Sequence, residues 1–234
     1  MNRSPRSRTL FGEKARPWQI AIIVFGVTVL CLRSSIVDWN WVPSGSMAPT
    51  IAVGDVILID RSAYDLRLPL TSLKRWRSDP QRGDIAVFRS PENSNKMVKR
   101  VIGLPGDRVF MQDDVLFLNG RPTTYAALSN DLITEVPENR RPYVLFYDEF
   151  LKTSPHRIML TPGAPEILGN IPPFVVPEGK YFMLGDNRDF SRDSRMYGFV
   201  EREEFLGKAS QVLFSLDREK KYRPRVGRFL QALQ

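Results

Sequence analysis

The sequence is poor in the residues on which many hydrolytic and redox sites are built. It has one cysteine, Cys31, so it can form no internal disulfide and carries no Cys-x-x-Cys redox or zinc site. It has one histidine, His156, which excludes a His/Cys metal cluster and leaves a Ser-His-Asp triad only that residue to rest on. No cofactor is expected. The central region also lacks net charge. Of the formal +8, residues 1–17 supply five basic side chains against Glu13, and residues 217–234 supply six against Asp217 and Glu219. A nucleic-acid binder carries its positive charge on a folded face with aromatics between the basic groups, so no nucleic-acid partner is expected. Charge confined to the two ends suits an anionic membrane surface, although residues 218–234 read equally well as a solvated basic tail.

What is present points to a folded, membrane-tethered chain. Hydrophobic residues make up 42% of the 234, enough to build a core and exclude disorder as the main state. Trp18–Leu32 is uncharged, and at ~1.5 Å per residue it reaches ~22 Å, short of a ~30 Å hydrocarbon core. Arg33 can snorkel and Ile36, Val37, Trp39 and Trp41 extend the apolar character, which predicts an anchor over residues 18–37 with tryptophans at both interfaces. A cleaved signal peptide is the rival reading, but Arg33-Ser34-Ser35-Ile36 offers no small-x-small site. The positive-inside rule then leaves residues 1–17 in the cytoplasm and the rest outside.

Beyond the anchor, β-rich runs separated by turn signals dominate. Asp55–Asp60, Asp84–Arg89, Met97–Ile102, Arg108–Met111, Val115–Leu118, Tyr143–Tyr147, Phe174–Val176 and Tyr181–Leu184 read as strands, with a hairpin turn at Asn119-Gly120. Eighteen prolines argue against a helical bundle, and the one further helix expected is short and near the C-terminus. The fold class is mostly β. Residues 120–178, rich in proline and weakly periodic, read as an insertion with long loops.

Three segments carry candidate chemistry. Pro43-Ser44-Gly45-Ser46-Met47-Ala48-Pro49-Thr50 follows the anchor and by itself reads as a linker as readily as a site. Met97-Val98-Lys99-Arg100-Val101-Ile102 places one basic residue among apolar ones on each strand face. Either could be buried, but only a lysine can give up its proton and serve as a base. Gly185–Arg195 (GDNRDFSRDSR) is dense in polar groups. It could be an Asx-rich surface loop. It could also be a calcium loop on Asp186, Asn187, Asp189 and Asp193, although Arg188, Arg192 and Arg195 satisfy those carboxylates at least as well.

Taken in order, P-S-x-S-M beside an anchor, then K-R-V-I-G-L-P-G-D, then G-D-N-R-D-x-S-x-D-S-R, the chain resembles the bacterial type I signal peptidases. Gly54-Asp55 and Arg82-Gly83-Asp84 add to the resemblance. It implies an extracytoplasmic, barrel-like β catalytic domain (residues 38–107 and 181–217) with an inserted second β subdomain (108–180) on one transmembrane helix. It implies a serine endopeptidase that acts on signal-peptide-bearing preproteins at the outer face of the inner membrane. Ser46 would be the nucleophile and Lys99 the general base. The Ser46 N–H and the Ser44 hydroxyl would form the oxyanion hole, Ser191 would orient Lys99, and Asp193 and Arg195 would pair in support. Asp186 and Arg100 would be structural neighbours. Met47, Ile51, Met97 and Val98 are candidate pocket residues, with no metal. The lipid bilayer is the expected second partner, met in part by Leu213, Phe214 and Tyr222, and a monomer is expected. His156 falls in the insertion and is expected to be dispensable. Some members of that family have two anchors and a cysteine pair in the exported domain; one anchor and neither cysteine are expected here. A non-catalytic anchored β-domain, a peptidase dedicated to one export system and a self-cleaving repressor are the rival readings. The presence of both Ser46 and Lys99 counts against the first, and the anchor counts against the last.

Overall fold

The computed structural model describes residues 16–71, 73–129, 133, 135–151, 155–164, 168–218 and 220–233. The basic N-terminal segment 1–17 lies outside these except for Arg16 and Pro17. The apolar segment forms one helix, Pro17–Ser35. Pro17 sits in the first turn, where no N–H partner is lost, and the Gln19 side chain accepts from the Arg16 N–H at 2.8 Å. Its 19 residues reach about 28 Å, because the helix takes in Pro17 and the polar residues Arg33–Ser35 as well as the uncharged run. It stops two residues short of the expected 37, since Val37 already pairs with Asp60.

The main sheet is antiparallel, in the order Val37–Trp41, Asp55–Asp60, Phe205–Asp217, Ile85–Arg89, Lys96–Gly103, Lys180–Leu184, Val200–Glu201. Asp55–Asp60 is buried at Val56, Ile57 and Ile59, and Ile85–Phe88 is buried throughout, as continuous apolar runs in central strands require. Ile57, Ile59, Ile85, Val87 and Ala209 form one core cluster with Met47 and Ile51 from the loop between the first two strands. Ala86, Phe88, Val101, Met183 and Phe205 form a second.

Three local expectations are corrected. Phe205–Asp217, which none of the expected strands covers, is a 13-residue strand. It pairs with Asp55–Asp60 on one side and Ile85–Arg89 on the other, and two ladders of backbone bonds override a local pattern that does not alternate cleanly. The expected strand over Tyr143–Tyr147 starts instead at Leu145, because Pro142 sits in a 3-10 turn over Arg141–Tyr143. Residue 218 and residues 220–233 do not form a free solvated tail. Arg223–Pro224 and Gln231–Ala232 pair back onto the long strand, and buried Arg228 holds Asp55 with Nε–Oδ1 at 3.0 Å.

The described part of the 120–178 region is more ordered than its weak periodicity implies. Thr124–Leu128, Leu145–Phe150 and Pro155–Leu160 form a three-stranded antiparallel sheet. Ile171–Val175 joins Arg108–Gln112, Val115–Leu118 and Arg121–Pro122 in a four-stranded one. The latter shares a cluster with the main sheet through Ile102, Phe182 and Leu184.

Directly paired residues of antiparallel strands point to the same side. Trp39 therefore shares a face with Leu58, and Trp41 with Val56 and Phe214. Trp39, Trp41 and Phe214 are exposed there, beginning four residues past the end of the helix, and the Arg33 guanidinium stacks 4.1 Å from the Trp39 ring.

Candidate active site

Ser46 sits on the loop that joins the first two strands of the main sheet, and the loop is tied down along its length. Its neck is closed by Val42 N–H to Asp55 O (2.8 Å) and Gly54 N–H to Val42 O (3.0 Å). Its tip is closed by Ala48 N–H to Gly45 O (3.0 Å) and Ile51 N–H to Met47 O (2.8 Å). Met47 and Ile51 are fully buried beneath it. Asn187 reaches from the Gly185–Arg195 segment to hold the same loop: its side-chain amide donates to Gly45 O (3.0 Å) and its backbone N–H to Ser46 O (3.2 Å). The close approach explains Gly185. A Cβ at that position would run into the Ser46 carbonyl and the Ser191 side chain.

Lys99 comes from the strand Lys96–Gly103, between Met97 and Val101 and opposite Ala86. Its side chain is buried, and Nζ lies 2.5 Å from Ser46 Oγ. Burial among apolar neighbours disfavours the ammonium, and this outweighs the carboxylates of Asp193 and Asp186 that favour it, so the amine falls to about 8. Both readings of the lysine strand turn out to hold, because Arg100 is buried as well. Its guanidinium grips Asp186 with two bonds of 2.8 Å and donates to Gly83 O at 2.8 Å. Thr50 Oγ1 donates to the same carboxylate at 2.5 Å. Burial alone would raise the Asp186 carboxyl, but Arg100 holds it below the ordinary range.

The depressed lysine has a consequence for stability. The amine titrates near 8 in the folded chain against 10.5 for a free lysine. Below pH 8 it is charged in both states, and its burial opposes folding by roughly 3 kcal/mol. As pH rises through 8 the folded chain loses the proton first, and the penalty is gone above 10.5. Lys99→Met is therefore expected to unfold later than the parent at pH 6–7, with the gap closing between pH 8 and 10.5 in denaturant titrations.

Asp193 and Arg195 pair at 2.8 Å, both buried. Asp193 also accepts from Gly185 N–H at 3.0 Å, which ties the two ends of the segment together. With Asp186 on Arg100 and Asp193 on Arg195, the carboxylates of the possible calcium loop are engaged by guanidinium groups, and Asp189 accepts from Thr161 N–H at 2.6 Å. Ser191 lies beside this loop, buried, and its hydroxyl makes no hydrogen bond to Lys99 or to any other described group. The expected Ser191–Lys99 bond is thus absent, and Nζ is paired with Ser46.

Ser44, Ser46 and Lys99 line one cleft of about 250 Å³. Asn40–Pro43 forms one part of its wall and Lys96–Val98 another, with Ile57 and Val87 between. Met97 and Val98 are therefore on its wall as expected residues. Met47 and Ile51 are not; their side chains fill the core beneath the loop. Sequence reasoning missed Asn187, Thr50 and Ile57. Asn187 stood inside a recognised motif, but nothing in the spacing said which polar group would turn toward Ser46. His156 is no loop residue. Its Nε2 lies 3.1 Å from the buried Glu149 carboxylate, and burial and the nearby Arg100 charge keep its pKa low.

The family model described as "Signal peptidase, peptidase S26" matches residues 15–214. A signal peptidase I of Pseudomonas fluorescens is 40% identical over 200 residues, covering 80% of this chain and 68% of the relative. One of Rickettsia akari is 35% identical over 230 residues, covering 90% and 83%. A solved signal peptidase I of Enterococcus faecalis is 35% identical, with 57% of this chain and 98% of that one covered and a TM-score of 0.35.

Proposed function

We propose, from the premise that this chain belongs to the peptidase S26 family of signal peptidases and is a type I signal peptidase, that it removes signal peptides from preproteins with Ser46 as nucleophile and Lys99 as general base. The observation that carries this reading is the 2.5 Å approach of the Lys99 amine to the Ser46 hydroxyl in a water-poor setting that lowers the amine to about 8. A neutral amine has a free lone pair to take the hydroxyl proton.

As Ser46 Oγ attacks the scissile carbonyl carbon, its proton passes to Lys99 Nζ. The negative charge moves to the carbonyl oxygen, where the Ser46 N–H and the Ser44 hydroxyl donate hydrogen bonds. Lys99 then gives its proton to the leaving nitrogen as the C–N bond breaks, leaving an ester on Ser46. Water, deprotonated by the same amine, hydrolyses the ester and restores the hydroxyl. Ser191 would accept from the Lys99 ammonium once that group turns from Ser46, a role supported by its otherwise partnerless buried hydroxyl. Asp193 and Arg195 would keep Gly185 and Ser191 in place beneath it. The small cleft walled by Met97, Val98, Ile57 and Val87 would take the residues before the bond, in extended form against the flanking strands. Its size favours short side chains.

The membrane setting follows from the anchor. The helix Pro17–Ser35 is long and apolar enough to cross a bilayer, and the basic residues before it favour a cytoplasmic N-terminus. The catalytic domain would then stand on the outer face of the inner membrane, with Trp39, Trp41 and Phe214 against lipid.

The test is the pH dependence of cleavage of a labelled preprotein by the full chain in proteoliposomes. Since only the neutral amine is a base, kcat/KM is expected to climb about tenfold per unit below pH 8 and level off above it. A rate that is flat from pH 6 to 10 would falsify the role given to Lys99.

A further inference from the structure

Resting on the peptidase reading, we propose that a second cavity beside the Ser46 loop receives the first residues of the mature chain, those just after the scissile bond, and that two arginines on its rim select against basic residues there. The loop has a groove on each side. Ser44 and Ser46 border the small cleft, whereas Gly45 and Ala48 border a separate cavity of about 650 Å³. An extended chain whose scissile carbonyl lies at Ser46 Oγ has to run past this loop. With the residues before the bond in the small cleft, those after it are delivered to the other side.

The lining of the larger cavity suits an extended peptide. Val136, Val144, Met159 and Phe190 make it largely apolar. Two polar groups among its lining residues, Asn187 Oδ1 and Thr161 Oγ1, are buried without a hydrogen-bond partner among the described residues. Backbone N–H groups of a bound chain are the donors such oxygens lack. Asn187 is also the residue that holds Gly45 and Ser46, so the cavity wall and the nucleophile loop are fastened together.

The charge on the rim sets the preference. Glu135 is engaged by Arg228 at 3.4 Å, and Arg225 by Asp217 at 3.4 Å. Arg140 and Arg218 are exposed and have no ion-pair partner among the described residues. They leave the mouth positive, so acidic residues at the second and third mature positions are attracted and lysines repelled. Neither arginine lies in the motifs that carry the resemblance: Arg140 falls in the region 120–178 and Arg218 just past the long strand Phe205–Asp217.

The experiment uses the full chain in vesicles of uncharged phosphatidylcholine, so that no anionic headgroup competes for the arginines. Two preproteins with the same signal peptide and cleavage site, one with glutamates and one with lysines at mature positions two and three, are mixed in one tube. The ratio of their products reports relative kcat/KM, whatever the fraction of active enzyme. A preference of roughly fivefold or more for the acidic substrate is expected, weakening with added salt. In Arg140→Glu/Arg218→Glu it should disappear or invert. Equal cleavage of both substrates by the parent overturns the proposal, as does a preference that survives the double charge reversal. Failure to cleave either substrate overturns the underlying peptidase reading instead.

Discussion

Ser46→Ala and Lys99→Ala are each expected to lower preprotein cleavage by roughly 10⁴-fold or more, and the double variant by little beyond either one. The two side chains act as a unit. Without the hydroxyl no ester can form, and without the amine the hydroxyl keeps its proton in a site that holds no substitute base. His156 cannot stand in, since it is buried against Glu149 rather than aimed at Ser46. Release of mature protein from vesicles carrying each variant, followed over hours, checks this. Processing by Lys99→Ala at anything near the parental rate would end the dyad mechanism, and so would multiplicative losses in the double variant.

Arg100→Met is expected to destabilise the fold by about 3–5 kcal/mol, a large share of a typical domain's stability. The change leaves the Asp186 carboxylate buried without its guanidinium partner, keeping the Thr50 hydroxyl as a donor. Removing both charges, in Arg100→Met/Asp186→Leu, should recover much of the loss, because the penalty comes from the uncompensated charge rather than from the missing pair. Denaturant titrations of the detergent-solubilised protein give both numbers. A double variant less stable than the single one would show instead that the pair's hydrogen bonds to Gly83 and Thr50 carry the fold here.

Much of the architecture was readable from local pattern. Asp55–Asp60, Ile85–Arg89 and Lys180–Leu184 are apolar runs bounded by turn residues, and they form central strands close to where the pattern puts them. Phe205–Asp217 was not readable, because its strand state depends on two partners far away in sequence. The same holds for the C-terminal basic run. Six cations within eleven residues look solvated until Arg228 is seen bound to Asp55, more than a hundred residues earlier. In the site, Ser46 and Lys99 could be singled out as residue types in ordered motifs. The split between Met97 and Val98 on the cleft wall and Met47 and Ile51 below it could not, since all four are simply apolar to a linear reading.

Composition narrowed the chemical possibilities. With one histidine and one cysteine in 234 residues, a base for a serine had to be His156 or a group of another kind, and a lysine set among apolar residues was a candidate. The folded chain decided everything that depends on distance and water. Fifty-three positions separate the amine from the hydroxyl along the chain, and their meeting at 2.5 Å is a product of strand pairing. The amine's weakened hold on its proton likewise arises only when packing strips away solvent, which no stretch of six residues can do for itself.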